Sequence, residues 1–522
     1  MSEKIVCLGI GGGALFYIAK YVQLLGKKMI GYDIKGNERT TELALLENIK
    51  IILENPAKPF EKDTNLIIYT AAFPDEVIKQ VKMQNPKIEM MEAGTFVSKL
   101  AERFEKNDLS IIEKRAFRMS KIAPLYSIDY TKQKFIGVTG TDGKTTTCFM
   151  IYHILQKLGY KPGMISTVEA RVGGKGLDTG LHTTTPSAQK LFEIIEMMQR
   201  EKCTHIILEC TSHGLAMGRL AGVKLDVGVY TNIKGEHLDY HKTWESYAKA
   251  KSLLITRRLK PAGTAVLNKD DNKAFDLLKN LSKNTIFYTT RNGRVKENPE
   301  GLEFKLGNKM YKLPVLGKYN VENALAAITT CKALGLNKAR VAKALETFQT
   351  VNGRMDVLQK EPFYIIVDFA HTPNALNAVL QSAQKLKKTG ESKIILVFGC
   401  AGKRDFSKRF PMGKLARKYT DITILTAEDP RSESLKSIND EIEQGWNSVN
   451  IAKSSHQLIR FDETVEKENV RREAIKRALS LAKDGDVVLV TGKGHELSLC
   501  FGEEERPWND IKEVNKILKV KE

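Results

Sequence analysis

The sequence predicts an α/β protein of three domains with largely parallel sheets. Short apolar runs of strand length alternate with helical segments from end to end, the pattern of βαβ units whose crossovers make neighbouring strands parallel. Glycine-containing turns follow several of these runs directly, at the strand ends where open parallel sheets bind ligands. A length of 522 residues, at about 100–200 per domain, leaves room for about three cores.

The first unit opens KIVCLGIGGGALFYIAKYVQLLGKKMIGYDI from Lys4 to Ile34: a strand, a glycine turn, an amphipathic helix and a second strand ending at Asp33. Gly9-Ile10-Gly11-Gly12-Gly13 partly matches G-x-G-x-x-G, with Asp33 where a ribose partner would sit. The turn suits any nucleotide diphosphate, and a tight turn without a ligand would read the same. Strands NIKII and NLIIYT and the turn TAAFP complete a Rossmann-like domain over 1–108. Residues 109–134 are charged and mixed, a connector with some helix.

The second unit, 135–352, starts with the strand KFIGVTG and the loop TDGKTTT, then a helix. Strands THIILEC, LDVGVYTN and GTAVLNKDD follow, VGGKGLDTG reads as a hairpin or loop, and a helix begins within GKYNVENALAAITTCKALG. The third, 353–522, is again Rossmann-like, with strands FYIIVDF, KIILVFG, DITILT and DVVLVTG between helical segments.

The strongest motif is Gly140-Thr141-Asp142-Gly143-Lys144-Thr145-Thr146 between a strand and a helix. It is one residue shorter than G-x-x-x-x-G-K-[ST] but has the same parts. Its glycines let backbone N–H groups curl around phosphate oxygens, Lys144 brings a point charge, and Thr145 or Thr146 offers a hydroxyl to Mg2+. The alternative is a glycine turn with a surface lysine. Glu209 closes a later strand, where a carboxylate suits Mg2+. His237 and His241 have i, i+4 spacing, but the other ligands of a zinc site are missing. Asp368 and His371 in DFAHTP, the cationic loop GCAGKRDFSKR and the turn Gly492–Glu496 all follow strands of the third unit and suggest a ligand crevice there.

Lys+Arg 82 against Asp+Glu 62 gives a net charge of +20, which suits an anionic partner: nucleic acid, a membrane surface or a phosphorylated small molecule. A lysine coat with no specific partner would look alike. No RNP, zinc-finger or helix-turn-helix signature supports a nucleic-acid-binding P-loop protein. Seven scattered cysteines without C-x-x-C exclude a dense disulfide framework and the usual zinc spacings. No apolar run is long enough to span a bilayer and no signal-peptide core opens the chain, so a cytoplasmic location without membrane insertion is expected.

Taken in order, GTDGKTTT, TTTP (Thr183–Pro186), ECTSH (Glu209–His213), NIKGEHLDYH, GKYNVENALAA, GRMD (Gly353–Asp356), DFAHTP and GKGHE resemble the Mur ligase family, the ATP-dependent amide-forming ligases of peptidoglycan synthesis. From about residue 135 onward the chain resembles the MurE type, while GIGGGA, the GYD strand end and TAAFP resemble the first domain of the MurC type. The resemblance implies that Lys144 grips the ATP phosphates and that Thr145, Glu209, His237 and a carbamylated Lys251 form the Mg2+ region. It implies ATP contacts at Asn320, Arg354, Asp368 and His371. Gly11 and Gly12 would hold the uridine diphosphate, and Thr184, Thr185, Thr211 and Arg219 the muramoyl substrate, with Met217 where a glutamine is common. Arg404, Asp429, Arg431, Gly492 and Glu496 would take the incoming amino acid, the family's D-N-P-R reading Glu428-Asp429-Pro430-Arg431 here. The implied partners are a UDP-N-acetylmuramoyl peptide and a free amino acid, acted on by a monomer. The implied reaction adds a diamino acid to UDP-N-acetylmuramoyl-L-alanyl-D-glutamate through an acyl phosphate. Arg431 favours meso-diaminopimelate, with lysine second because Asp429 could pair with that arginine. Alanine-adding and tripeptide-recycling Mur ligases are the alternatives that the first domain favours.

Overall fold

The computed structural model describes residues 4–519 apart from 12, 57–59, 61–62, 71–72, 123, 178–184, 292, 451–455 and 463–468. The chain falls into two compact units: residues 1–139, 161–228 and 249–265, and residues 140–160, 229–248 and 266–522.

In the first unit β1 (Lys4–Leu8), β2 (Lys28–Tyr32), β3 (Ile49–Ile52), β4 (Thr64–Tyr69) and β5 (Glu89–Glu92) form a parallel sheet in the order β3-β2-β1-β4-β5. The apolar run of β1 is continuous because both faces are covered. Ile5 and Cys7 pack into a core with Leu15, Ile18 and Leu100, and Val6 and Leu8 into one with Ile67, Phe73 and Val81. The expected glycine turn joins β1 to the helix Gly13–Leu24.

Next along the chain come β6 (Lys134–Thr139), β7 (Pro162–Ile165), β8 (Ala170–Val172), β9 (Lys175–Leu177), β10 (His205–Glu209), β11 (Leu225–Tyr230) and β12 (Leu259–Asn268). They are neighbours in the order β12-β11-β6-β10-β7-β8-β9. β10 runs parallel to both β6 and β7, and β7-β8-β9 is an antiparallel excursion. The segment VGGKGLDTG therefore includes a hairpin turn, and its last residues lie outside the described ones.

In the second unit β13 (Thr285–Tyr288) precedes an antiparallel trio, β14 (Val295–Asn298), β15 (Gly301–Leu306) and β16 (Lys309–Leu313). The last sheet contains β17 (Asp356–Gln359), β18 (Tyr364–Asp368), β19 (Ile394–Phe398), β20 (Ile422–Leu425), β21 (Gln457–Arg460) and β22 (Val487–Thr491), in the order β17-β18-β22-β19-β20-β21. Only β17 is antiparallel to its neighbour. Ile366, Leu396 and Leu489 fill the core on one face, and Ile365, Val488 and Val490 the core on the other. A short hairpin, β23 (Ser498–Phe501) and β24 (Glu504–Pro507), follows. Among the described residues no helix is long and apolar enough to cross a membrane.

Candidate active site

The loop after β6 has the backbone that its glycines predict. Gly140 and Gly143 hold φ of +155° and +80°, and Gly143 caps the helix Lys144–Lys157 in the left-handed conformation. A Cβ on Gly140 would stand 1.8 Å from Thr231 Oγ1, and one on Gly143 2.1 Å from Asn323 Oδ1. Asn232 staples the loop: its carbonyl accepts from Thr141 N–H at 2.8 Å and its Oδ1 from Asp142 N–H at 3.0 Å. Lys144 Nζ donates to Thr141 O at 2.7 Å, so the ammonium lies over the loop. Thr145 is buried and Thr146 half-buried in the first helical turn, whose N–H groups point toward an anion site in any helix.

The same polar neighbourhood takes residues from distant segments. Burial and Glu236 push the Asp142 carboxyl up, while Lys234, Lys144 and Arg354 pull it down. Glu236 Oε2 lies 3.8 Å from His237 Nε2, and Glu236 Oε1 3.9 Å from His371 Nε2. Tyr247 O–H reaches both Thr141 Oγ1 at 3.0 Å and Glu236 at 3.5 Å. His371 is held by a contact of its Nδ1 with Phe369 O at 3.0 Å, and burial, with Lys408 and Arg354 nearby, lowers its pKa well below the usual imidazole range. Arg354 stacks on the Phe369 ring, Cζ to centroid 4.4 Å. Asp368 is buried, its two oxygens accepting from Met355 N–H at 2.6 Å and Ala370 N–H at 2.7 Å. Asn320 likewise works inside the protein: its Nδ2 donates to Leu316 O and its Oδ1 accepts from Asn323, the residue against Gly143.

The loops that follow β18, β22, β19 and β20 lie at the strand ends where open parallel sheets bind ligands. A Cβ on Gly353 would stand 2.3 Å from His495 N, so GRMD and GKGHE pack backbone to backbone. The GCAGKRD and Glu428–Arg431 loops are joined by Gly402 N–H to Asp429 O at 2.9 Å and Arg431 Nη1 to Gly402 O at 3.0 Å. Asp429 does not pair with Arg431. Its Oδ1 takes Lys493 Nζ at 2.7 Å and Cys500 N–H at 2.9 Å. Lys493 also meets Glu496 at 2.6 Å, and burial raises the Glu496 carboxyl to about 7 against that pull. Gly492, at φ +107°, leaves room for Glu428, whose Cγ would lie 3.1 Å from a Cβ there. Arg404 is exposed on its loop.

In the first unit Glu209 ends β10, buried, and accepts from Thr167 N–H at 3.0 Å. Lys251, on the helix Trp244–Leu253, is 1% exposed. Glu209 and Lys251 both act on the Cys210 thiol, which places their charges in one buried neighbourhood. Thr185, Thr211 and Arg219 also come together: Thr211 N–H donates to Thr185 Oγ1 at 3.0 Å and Arg219 Nη1 to Thr185 O at 2.7 Å. Thr184 and Gly12 lie outside the described residues. Gly11 N–H donates to Asp33 Oδ2 at 2.7 Å, so this carboxylate shapes the turn. A side chain at Gly11 would meet Asn37 Nδ2 at 2.5 Å before any ligand.

Sequence reasoning missed Glu236, Tyr247, Asn232, Asn323, Glu428, Lys493 and Lys408, whose Nζ donates to His371 O at 3.0 Å, as members of these sites. Glu236, Glu428 and Lys493 sit inside motifs already singled out, so adjacency was a usable signal. Asn232 and Asn323 sit inside NIKGEHLDYH and GKYNVENALAA and Lys408 inside GCAGKRDFSKR, while Tyr247 lies four residues before Lys251.

A phosphate-type loop after a parallel strand and packed loops at the strand ends of another mostly parallel sheet are the marks of a nucleotide-using α/β enzyme. The chain belongs to the Mur ligase family, which makes it an ATP-dependent ligase. Residues 4–105 match the Mur ligase family catalytic domain, 138–331 the Mur ligase middle domain and 353–494 the Mur ligase glutamate ligase domain. It is 36% identical over 400 residues to UDP-N-acetylmuramoyl-L-alanyl-D-glutamate–2,6-diaminopimelate ligase of Cytophaga hutchinsonii, covering 75% of this chain and 79% of that one. Among solved structures, one of a ligase of that same name is 25% identical, with a TM-score of 0.53 over 88% of this chain and 93% of that chain. The UDP-N-acetylmuramate–alanine ligase MurC of Thermotoga maritima, 20% identical with a TM-score of 0.51 over 99% of each chain, shares the fold.

Proposed function

We propose that this chain joins 2,6-diaminopimelate to UDP-N-acetylmuramoyl-L-alanyl-D-glutamate, as a cytoplasmic monomer. The observation that carries this reading is the 36% identity over three quarters of the chain to a ligase of that name. In this reading 1–108 takes the uridine diphosphate, 109–134 connects, 135–352 takes ATP and 353–522 takes the amino acid.

A carboxylate is a poor electrophile, and ATP supplies the phosphoryl group that makes it an acyl phosphate. Lys144 leaves Thr141 O to offset charge on the transferring phosphoryl group, and Arg354 and His371 line the same neighbourhood. The amine then attacks and phosphate leaves, with no side-chain nucleophile required. Thr185, Thr211 and Arg219 hold the muramoyl peptide, and the loops that bear Arg404, Asp429, Arg431, Gly492 and Glu496 hold the diamino acid.

Mg2+ fits the donor set. A threonine hydroxyl, a buried glutamate and, if carbamylated, Lys251 are the hard oxygen donors that such an ion takes. Of the residues that the family resemblance assigns to it, Glu209 and Lys251 lie in the first unit and Thr145 and His237 in the second. When bound, it would neutralise charge gathering on the phosphates. The burial of Lys251 supports its carbamylation, because a carbamate is an anionic oxygen ligand and an ammonium would repel the ion.

The test is ligation of diaminopimelate to the muramoyl dipeptide, read as ADP release and product mass. The Lys144→Ala variant should lose about 10²–10³ in kcat at an unchanged melting temperature. Turnover with UDP-N-acetylmuramate and alanine instead would overturn the acceptor, and a fully active Lys144→Ala would overturn the ATP site.

A further inference from the structure

The charge of +20 is the sequence feature that the ligation leaves unused. Part of it gathers around the helix Ile111–Met119, which opens with a capping box of Ser110 and Glu113. Ala116 and Phe117 are its buried side. Phe117 stacks on Phe104, ring centroids 4.4 Å apart, and meets Tyr126 edge-on at 5.4 Å. That packing turns the opposite side to solvent. Ile111 is 86% exposed, Ile112 67% and Met119 57%, and Arg115 and Arg118 are exposed with them. At 3.6 residues per turn, Arg118, Ile111, Arg115, Met119 and Ile112 follow one another across about 120° of the helix circumference. Glu113, the one acid of the helix, falls outside this arc, and Arg103 Nη2 lies 3.2 Å from its carboxylate. Arg118 rests its guanidinium over the Phe104 ring at 5.6 Å. Lys106 and Lys121, before and after the helix, are exposed, and Asp108 is the only exposed acid from 106 to 121.

We propose that the helix Ile111–Met119 is a membrane-docking element that lies on an anionic lipid surface. Ile111, Ile112 and Met119 enter the boundary between headgroups and acyl chains, and Arg115 and Arg118 keep their guanidinium groups among the headgroup phosphates. Charge complementarity selects this occupant. The face carries cations and no acid, and the lipid surface that a cytoplasmic protein meets is negative. Apolar side chains this exposed contribute nothing to the fold, whereas burying them in lipid removes their area from water. The contact is peripheral and reversible, because three apolar side chains and a few cations fall short of a permanent anchor. It goes beyond the ligase reading and does not depend on which amino acid is joined.

The experiment sediments the full chain with vesicles of phosphatidylglycerol and phosphatidylcholine in equal parts, against vesicles of phosphatidylcholine alone. The wild type should favour the anionic vesicles by about tenfold or more and should leave them in high salt. Ile111→Ser with Ile112→Ser keeps every charge and should weaken binding about tenfold or more at an unchanged melting temperature. Arg115→Gln with Arg118→Gln keeps the apolar side chains and should weaken it similarly. Binding that survives the loss of both isoleucines would belong to the basic coat as a whole and overturns the proposal. So does equal binding to the two vesicles. Absence of binding to either leaves the face to an acidic protein and overturns it too, as does a dimer in solution that the serine variant disperses, which would assign the face to a second copy. Ligation by the serine variant at the wild-type rate is expected, so the ligase reading stands or falls separately.

Discussion

Glu496 carries a measurable consequence of the electrostatics around it. Burial, with Asp429 and Glu428 adding to it, raises its carboxyl to about 7, against an ordinary value of 4.5 and the opposing pull of Lys493. Between those two pH values the unfolded chain has released this proton and the folded chain keeps it. The folded state therefore binds more protons, and stability falls as pH rises through that window. The contribution is fully present below 4.5 and lost above about 7. Glu496→Gln has no proton to lose, so its melting temperature relative to wild type should rise between pH 5 and pH 8, on the order of a few degrees. A pH-independent difference between the two proteins would sink this. At this scale the sequence was legible where a backbone demands glycine: Gly140 and Gly143 leave no room for a Cβ, and their spacing before Lys144 is visible in one line of text. The pairing of Asp429 was not legible. It lies next but one to Arg431, yet its carboxylate turns to Lys493, 64 residues away.

Elements were easier to read than the links between them. The runs in β19 and β22 are buried throughout, so a continuous apolar stretch between turns suffices to find them. The link that holds their neighbours has no periodic signature. Arg471, on the helix Asn469–Leu481, is fully buried and pairs with Asp510, 39 residues further on, while capping the carbonyls of Ala427 beyond β20 and Thr491 at the end of β22. Trp508 Nε1 donates to the same Asp510 at 2.8 Å. Arg471→Met would leave Asp510 buried without its cation and two strand-end carbonyls without a donor. The expected loss is about 3–5 kcal/mol, because breaking a buried pair strands the other charge. Arg471→Met with Asp510→Leu should recover part of it. Denaturant melts of both variants decide the matter, and a single variant no less stable than wild type would mean that the pair does not hold the strand ends.

For the molecule as a whole, the alternation of strands and helices was legible in the sequence, whereas the fastening of the first sheet was not. The fastening is a compact ionic knot within the first unit. Glu105 ends the helix Ala93–Glu105 and accepts from Arg258 Nη2 at 3.0 Å and from Tyr126 O–H at 2.8 Å. Arg257 adds contacts to Glu102 at 3.1 Å and Glu105 at 3.7 Å. Arg258 is buried, so its charge depends on the partner Glu105, and the knot ties the helix Ala93–Glu105, Tyr126 and the segment after the helix Trp244–Leu253 together within the first unit. Glu105→Ala should destabilise by on the order of 2–3 kcal/mol, less than a fully buried pair because Glu105 keeps some exposure. The larger effect should be on cooperativity. With the knot intact the five-stranded sheet should melt together with the rest of its unit, whereas in Glu105→Ala it should melt as a separate, earlier transition in a calorimetric scan. Glu105→Gln keeps the hydrogen bonds and loses the charge, so a split with alanine but not with glutamine would assign the fastening to geometry, and a split with both to charge. A scan unchanged by either substitution would show that apolar packing alone fastens the sheet.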